Sequence, residues 1–212
     1  MMLTLFGNGT RLLRGVALAG FALGAASTAA SALPVQWSVG SGGNGHWYEL
    51  VSASHTWSSA RNAALSSSHL GMTGYLATVT SAAEYDFLTT SVNPGQTTAF
   101  LGGSDEGVEG AWLWMDGPEA GQQFWSGGSG GTELIYANWN SNEPNDLSGE
   151  DYLTGWASGA LWNDVRGSHS AAAYVVEYGP ASTSAVPLPG AAPLLVAALG
   201  GLAVLRRKRR AG

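Results

Sequence analysis

Ten residues, NEPNDLSGED at 142–151, bring together Glu143, Asp146, Glu150 and Asp151 with Asn142, Asn145 and Pro144. Carboxylates and amides at this density make a solvated acidic turn, supply the acid and base of a hydrolytic pair, or cage a hard cation. Farther along the chain, WND at 162–164 adds Asn163 and Asp164, and SDEGVEG at 104–110 adds Asp105 and Glu109. Calcium takes about six to eight oxygens at roughly 2.3–2.6 Å from carboxylates, amide and backbone carbonyls and water, drawn from short segments with little helix between them. Acid–base catalysis asks instead for one carboxyl of raised pKa in a partly apolar cleft. Acids interleaved with Asn and Gly fit a shared cation more simply, so no catalytic residue and no enzyme activity are expected. A solvated turn would leave the WND stretch as a coincidence. His46, His55, His69 and His169 show no metal-ligand spacing, and Ser168-His169-Ser170 reads as a surface turn.

The charge balance supports a cation. Net charge is −6 over 212 residues, but most basic residues sit at the two ends. Between residues 33 and 185 only Arg61 and Arg166 stand against all 15 acids. Such a surface repels nucleic acid phosphate, so no nucleic acid partner is expected. Cysteine is absent, which excludes a disulfide framework, a thiolate metal site and a cysteine nucleophile.

Both ends read as addresses. Residues 1–32 run from Arg11 and Arg14 through the apolar GVALAGFALGAA to ASA at Ala30–Ala32, the order of a secretory signal peptide with cleavage expected after Ala32. A short linker at 181–185 leads to residues 186–212, an apolar stretch from Val186 to Leu205 followed by RRKRR. As a helix, that stretch is just long enough to span a bilayer, with its cations on the cytoplasmic side. VPLP at 186–189, the apolar run and the basic end together resemble the PEP-CTERM sorting signal. The resemblance implies processing by an exosortase in a Gram-negative cell, alongside exopolysaccharide production. The plain alternative is a simple membrane anchor. Either way the middle of the protein, residues 33–180, is expected to be exported.

The elements that position the acids can be read in outline. TWSSARNAAL (56–65) has apolar residues at helical spacing, and SAAEYDFL opens a second helix with a capping box from Ser81 to Glu84. HWYELV, GYLATV, AFLGG, AWLWMDG, ALWNDV and AAYVVEY read as strands. From Gly117 to Gly159 the composition predicts a long irregular loop, of the kind that is usually functional. GSGGNG at 40–45 matches a dinucleotide-binding pattern but precedes a strand rather than a helix, and GGSGG at 127–131 lacks the context of a nucleophile elbow. The order of elements argues for an α+β fold.

Residues 46–178 resemble a C-type lectin-like domain. The landmarks are the two consecutive helices with YLATVTSAAEYDFL, then FLGG, WLWMDG, ANWNSNEPND, GEDYL, LWND and the closing YVVEY, in family order. The resemblance implies two helices, small antiparallel sheets and a long calcium-binding loop. It also implies a principal calcium site from Glu143, Asn145, Glu150, Asn163 and Asp164, whose oxygens and amides would also bind the sugar. A cis bond before Pro144 would turn both flanking side chains toward that ion. An auxiliary calcium site would use Asp105, Glu109, Asp146, Glu150 and Asp151. The E-P-N order resembles that of members preferring mannose-type sugars. The expected function is therefore a calcium-dependent, surface-sorted carbohydrate-binding protein. A calcium-stiffened protein-binding or matrix-structural module without sugar binding is the alternative. The family's usual two disulfide bridges are missing. Ala63 or Ala64 stands opposite Val176, and Tyr152 opposite Gly167, where those bridges would lie. Each lost bridge ordinarily costs about 2–5 kcal/mol, so packing and bound metal must supply more of the stability.

Overall fold

A computed structural model describes residues 30–180. The readings placed on residues 1–29 and 181–212 (most of the signal peptide, the linker and the sorting signal) lie outside the described residues. Among the described residues, no helix is long and apolar enough to cross a membrane.

Two helices stand where the periodicity and caps place them. α1 covers Trp57–Leu65, and the Thr56 hydroxyl caps it by accepting from the Ser59 amide. It buries Trp57, Ala60 and Ala64, the small residues letting its backbone lie close to the sheet. α2 covers Ala82–Phe87, with the Ser81 side chain accepting from the Glu84 amide, and continues through a wider turn over Leu88–Val92. The reciprocal half of the expected capping box differs. The Glu84 carboxylate bonds the Thr80 amide and hydroxyl at 2.8 and 2.9 Å, one residue before the cap. Its other oxygen is drawn into the interior by the Tyr48 hydroxyl at 2.5 Å.

Among the described residues, twelve strands link into one branched network, and Ser170–Ala171 pairs separately with His55–Thr56. The fold is α+β with mostly antiparallel pairing. At its centre the closing strand Ala173–Tyr178 pairs antiparallel with Trp47–Ser52 and with Met72–Leu76, and parallel with Ala99–Ser104. Ala99–Ser104 in turn pairs antiparallel with Ala111–Trp114 and with Tyr152–Ser158, and the latter forms a hairpin with Leu161–Val165. The first described residues also pair: Ala30 and Ser31 lie opposite Ser52 and Val51.

The expected loop from 117 to 159 is more ordered than its composition predicts. Gln123–Ser126 pairs with Ala111–Trp114, Thr132–Glu133 pairs with Gln123–Ser126, and Tyr152–Ser158 is an interior strand. Isolated aromatics among glycines mark these strands. Phe124 and Trp156 are buried, and they recruit their polar neighbours into pairing.

The positions of the missing bridges are packed. Ala64 and Val176 both border Gly74, whose backbone leaves no space for a side chain between them. The Tyr152 ring lies over Gly167 and tilts against Trp57 at 4.9 Å between centroids. A large ring over a residue without a side chain fills the second position.

Candidate metal and ligand site

The WND stretch is anchored from below. Trp162 is fully buried, with the rings of Tyr85, Trp114, Phe124, Tyr136 and Trp139 edge-on around it at 5.7–6.1 Å. Its backbone amide donates to the Asn138 carbonyl at 2.8 Å and its carbonyl accepts from the Asn140 amide at 2.9 Å. The strand and the start of the acidic loop are thus clipped together. From Asn140 the chain turns, with the Glu143 amide bonding the Asn140 carbonyl at 3.0 Å. The Glu143–Pro144 bond is cis, as the resemblance implies.

Asp164 is the hub of the loop. It is 1% exposed, and its Oδ2 accepts from the Asn145 and Asp146 amides, each at 2.8 Å. The Asn145 side-chain amide donates to the Glu143 carboxylate, while its oxygen accepts from the Leu147 amide at 2.8 Å. Leu147 N–H also donates to Glu150 at 3.2 Å, and Glu150 N–H donates to Asp146 Oδ1 at 2.9 Å. Glu143, Asn145, Glu150 and Asp164 are therefore gathered around one loop. Asn163 adjoins them in the chain, its side-chain amide bonded to the Asp164 carbonyl at 2.5 Å.

The electrostatics are those of crowded like charges. Burial and the facing Asp164 and Glu150 push the Glu143 carboxyl up to about 7. Glu150 is raised by burial and by Asp164, with Arg166 pulling the other way. Meanwhile the second Asp164 oxygen, Oδ1, is buried and finds no donor among the described residues. A carboxylate oxygen in that state is costly unless a cation or proton meets it. Raised carboxyls also suit acid–base catalysis. Here burial raises them first and facing carboxylates second, and the neighbouring groups are amides and further carboxylates, a donor set that suits a divalent cation.

A second group lies alongside. One oxygen each of Asp105, Glu109 and Asp151 fall within 4.8 Å of one another. Asp105 is 2% exposed and its Oδ2 accepts from the Gly110 amide at 2.8 Å, which folds the 105–110 loop onto it. Its Oδ1 has no donor among the described residues, and burial pushes its carboxyl up to about 7. Glu109 and Asp151 are raised as well, first by burial and then by neighbouring acids. Asp146 and Glu150, the other two of the expected auxiliary set, stand outside this trio. The donor chemistry of both groups, carboxylates and amide oxygens with one buried oxygen left over in each, fits a hard cation such as calcium.

Sequence reasoning passed over two features. Arg166 bonds the Leu147 carbonyl through Nε at 3.0 Å and Nη2 at 2.8 Å, holding the loop from the side. A lone cation two residues after WND in an acidic segment was the available signal. The other is an interior network in which His46 Nδ1 meets Glu177 at 2.6 Å and the Tyr48 hydroxyl lies between Glu84 and Glu177 at 2.5 and 3.2 Å. Nothing in the local spacing joins residues so far apart in the chain.

A family model described as "Lectin C-type domain" matches residues 53–173, more than half of the chain. Halomucin of Haloquadratum walsbyi is 40% identical over 173 residues, 77% of this chain and 2% of halomucin. Ladderlectin of Oncorhynchus mykiss is 32% identical over 100 residues, 45% of each protein. The chain thus spans less than half the length of either relative. Among solved structures, a Ca2+-dependent type II antifreeze protein in its Ca2+-free form superimposes with a TM-score of 0.50 at 21% identity. That match covers 63% of this chain and 92% of the other, and it speaks for the fold alone.

Proposed function

The chain belongs to the C-type lectin domain family, and from that premise we propose that it is a calcium-dependent carbohydrate-binding protein. One observation carries the proposal: the buried, donorless Oδ1 of Asp164 at the meeting point of Glu143, Asn145 and Glu150. Glu143, Asn145, Glu150, Asn163 and Asp164 would hold the principal ion, and Asp105, Glu109 and Asp151 an auxiliary one. When bound, calcium supplies open coordination positions that neutral vicinal hydroxyls of a sugar can fill. The chain's own groups then orient those hydroxyls. Carboxylate oxygens of Glu143 and Glu150 accept from them, and amide N–H groups of Asn145 and Asn163 donate to them. The Glu143-Pro144-Asn145 order supports a mannose-type preference.

The ends extend the proposal to export, exosortase processing of the 186–212 segment, and residence at the surface or in the exopolysaccharide matrix of a Gram-negative cell. Support comes from the signal-like order of residues 1–32 and from VPLP with its apolar run and basic end. A glycan array probed with and without chelator tests the binding function. Calcium-dependent binding to mannose-type glycans that Asn145→Asp abolishes is the expected result. A calcium-stabilised protein that binds no glycan would favour the structural-module reading instead.

A further inference from the structure

Beside the loop, Glu150, Val165, Arg166, Ser168 and His169 line an open cleft of about 220 Å³. Glu150 belongs to the proposed ion site and Val165 directly follows Asp164, so the cleft continues from that site. Its floor and outer wall are built differently from the rest of this acidic surface. Of the two arginines among the described residues, Arg61 is consumed by Asp116, with Nε and Nη2 each on a carboxylate oxygen at 2.6 and 2.7 Å. Arg166 has no carboxylate within ion-pair distance. Two of its nitrogens are fixed on the neutral Leu147 carbonyl, which sets the plane of the guanidinium without neutralising it. Among the described residues Nη1 has no hydrogen-bond partner, and the side chain is exposed. Ser168 and His169 line the cleft with it, on a turn closed by the His169 amide on the Arg166 carbonyl at 2.9 Å, and the His169 ring meets Phe100 edge-on at 6.2 Å.

We infer that this cleft is a subsite for an anionic substituent, so that the preferred ligand is an acidic saccharide whose carboxylate or sulfate meets Arg166 while its neutral hydroxyls meet the ion. The inference rests on the proposed function above and narrows it to a ligand class. A planar guanidinium held by a neutral acceptor is preorganised for a carboxylate or sulfate oxygen pair. The opposing charge in the cleft is Glu150. The two charges feel each other, since Arg166 lowers the Glu150 pKa, but they form no ion pair; the Glu150 carboxylate bonds the Leu147 amide and, with calcium bound, would turn toward the ion. The volume suits one substituent or part of a neighbouring ring, not a long anionic chain. A long polyanion would meet the surrounding acids instead.

The test measures calorimetric affinity of the full chain at saturating calcium for three probes of equal length: a neutral oligomannose, an oligomannuronate and a sulfated oligomannose. Expected is about tenfold tighter binding of at least one acidic probe over the neutral one, as a charge-assisted pair provides. The carboxylate and sulfate arms identify which source of charge the cleft takes. Arg166→Gln should collapse that ratio to about one, and Arg166→Lys should restore only part of it, because an ammonium lacks the fork. Since the readout is a ratio, general loosening of the loop lowers all three affinities together and leaves the ratio standing, which would overturn the inference. Neutral binding with no acidic preference overturns the subsite alone. Failure of all three probes overturns the proposed function, and the subsite with it.

Discussion

Glu84 and Glu177 lie in the interior with every carboxylate oxygen bonded, whereas Asp105 and Asp164, equally buried, each keep one oxygen without a donor. The inner pair receives the Tyr48 hydroxyl, the His46 ring, the Asn44 amide, and both the amides and hydroxyls of Thr78 and Thr80. Glu119 joins at its edge through the Thr78 hydroxyl at 2.9 Å. The outer acids receive mainly backbone amides, and face one another. Donor supply therefore separates the two regions. A carboxylate surrounded by hydroxyls and an imidazole is part of the frame. One surrounded by other carboxylates has a donor set that suits a cation.

The largest effect should come from breaking the inner network. Glu177→Ala leaves His46, Tyr48 and the Thr78 amide without their acceptor, and is expected to cost about 3–5 kcal/mol in urea denaturation. Saturating calcium should not restore the loss. The outer loop should behave in the opposite way. Calcium at about a hundred times its Kd should raise wild-type stability by roughly 2.7 kcal/mol in thermal melts, and chelator should reverse it. Glu143→Gln combined with Asn163→Asp should shrink that gain while the calcium-free melt stays nearly unchanged.

Acidity separates the regions next. The Glu177 hydrogen bond raises His46 above its ordinary 6.5, so the imidazolium's contribution is complete below 6.5 and is lost as pH rises through the higher folded value. Burial and the facing Glu177 push Glu84 up to about 7. Its protonated form is favoured by the fold, so that contribution is complete below about 4.5 and lost as pH rises toward 7. Both have the same sign. Calcium-free stability should fall by at least about 2 kcal/mol between pH 5 and pH 8, since Glu143 and Asp105, also raised to about 7, add in the same sense, and His46→Gln should flatten only the upper part of that slope. The calcium-induced gain should grow over the same range, because ligand carboxylates must be ionised. A gain independent of pH would contradict the outer half of the comparison. Smallest of these effects, Gly167→Ala would bring a methyl to 3.1 Å from the Tyr152 ring and should cost about 1 kcal/mol in either calcium state.

How much of this could be read beforehand follows the range of the interactions. Both helices were legible, because Thr56, Ser81 and the apolar spacing act within a turn or two. Strands with dense aromatic or β-branched residues were legible too. Gln123–Ser126 and Tyr152–Ser158 were not, since pairing partners far along the chain, not local propensity, order them. Among the site residues, Glu143, Asn145, Glu150 and Asp164 were legible by type, and hydrogen bonds link them within one loop. The role of Arg166 was hidden, because it depends on the path that brings the Leu147 carbonyl back to it. Glu177 looked like one polar residue in a closing strand, and only its convergence with His46, Tyr48 and Glu84 explains a fully buried acid there.

A calcium titration by calorimetry on wild type, Asp164→Asn and Glu84→Gln addresses the difference between the two regions directly. The expected outcome is saturable binding to wild type and to Glu84→Gln, and loss of the principal-site step in Asp164→Asn, whose amide still accepts from Asn145 and Asp146 but offers no charged Oδ1, while any binding at Asp105, Glu109 and Asp151 persists. Equal calcium binding by Asp164→Asn and wild type would contradict it.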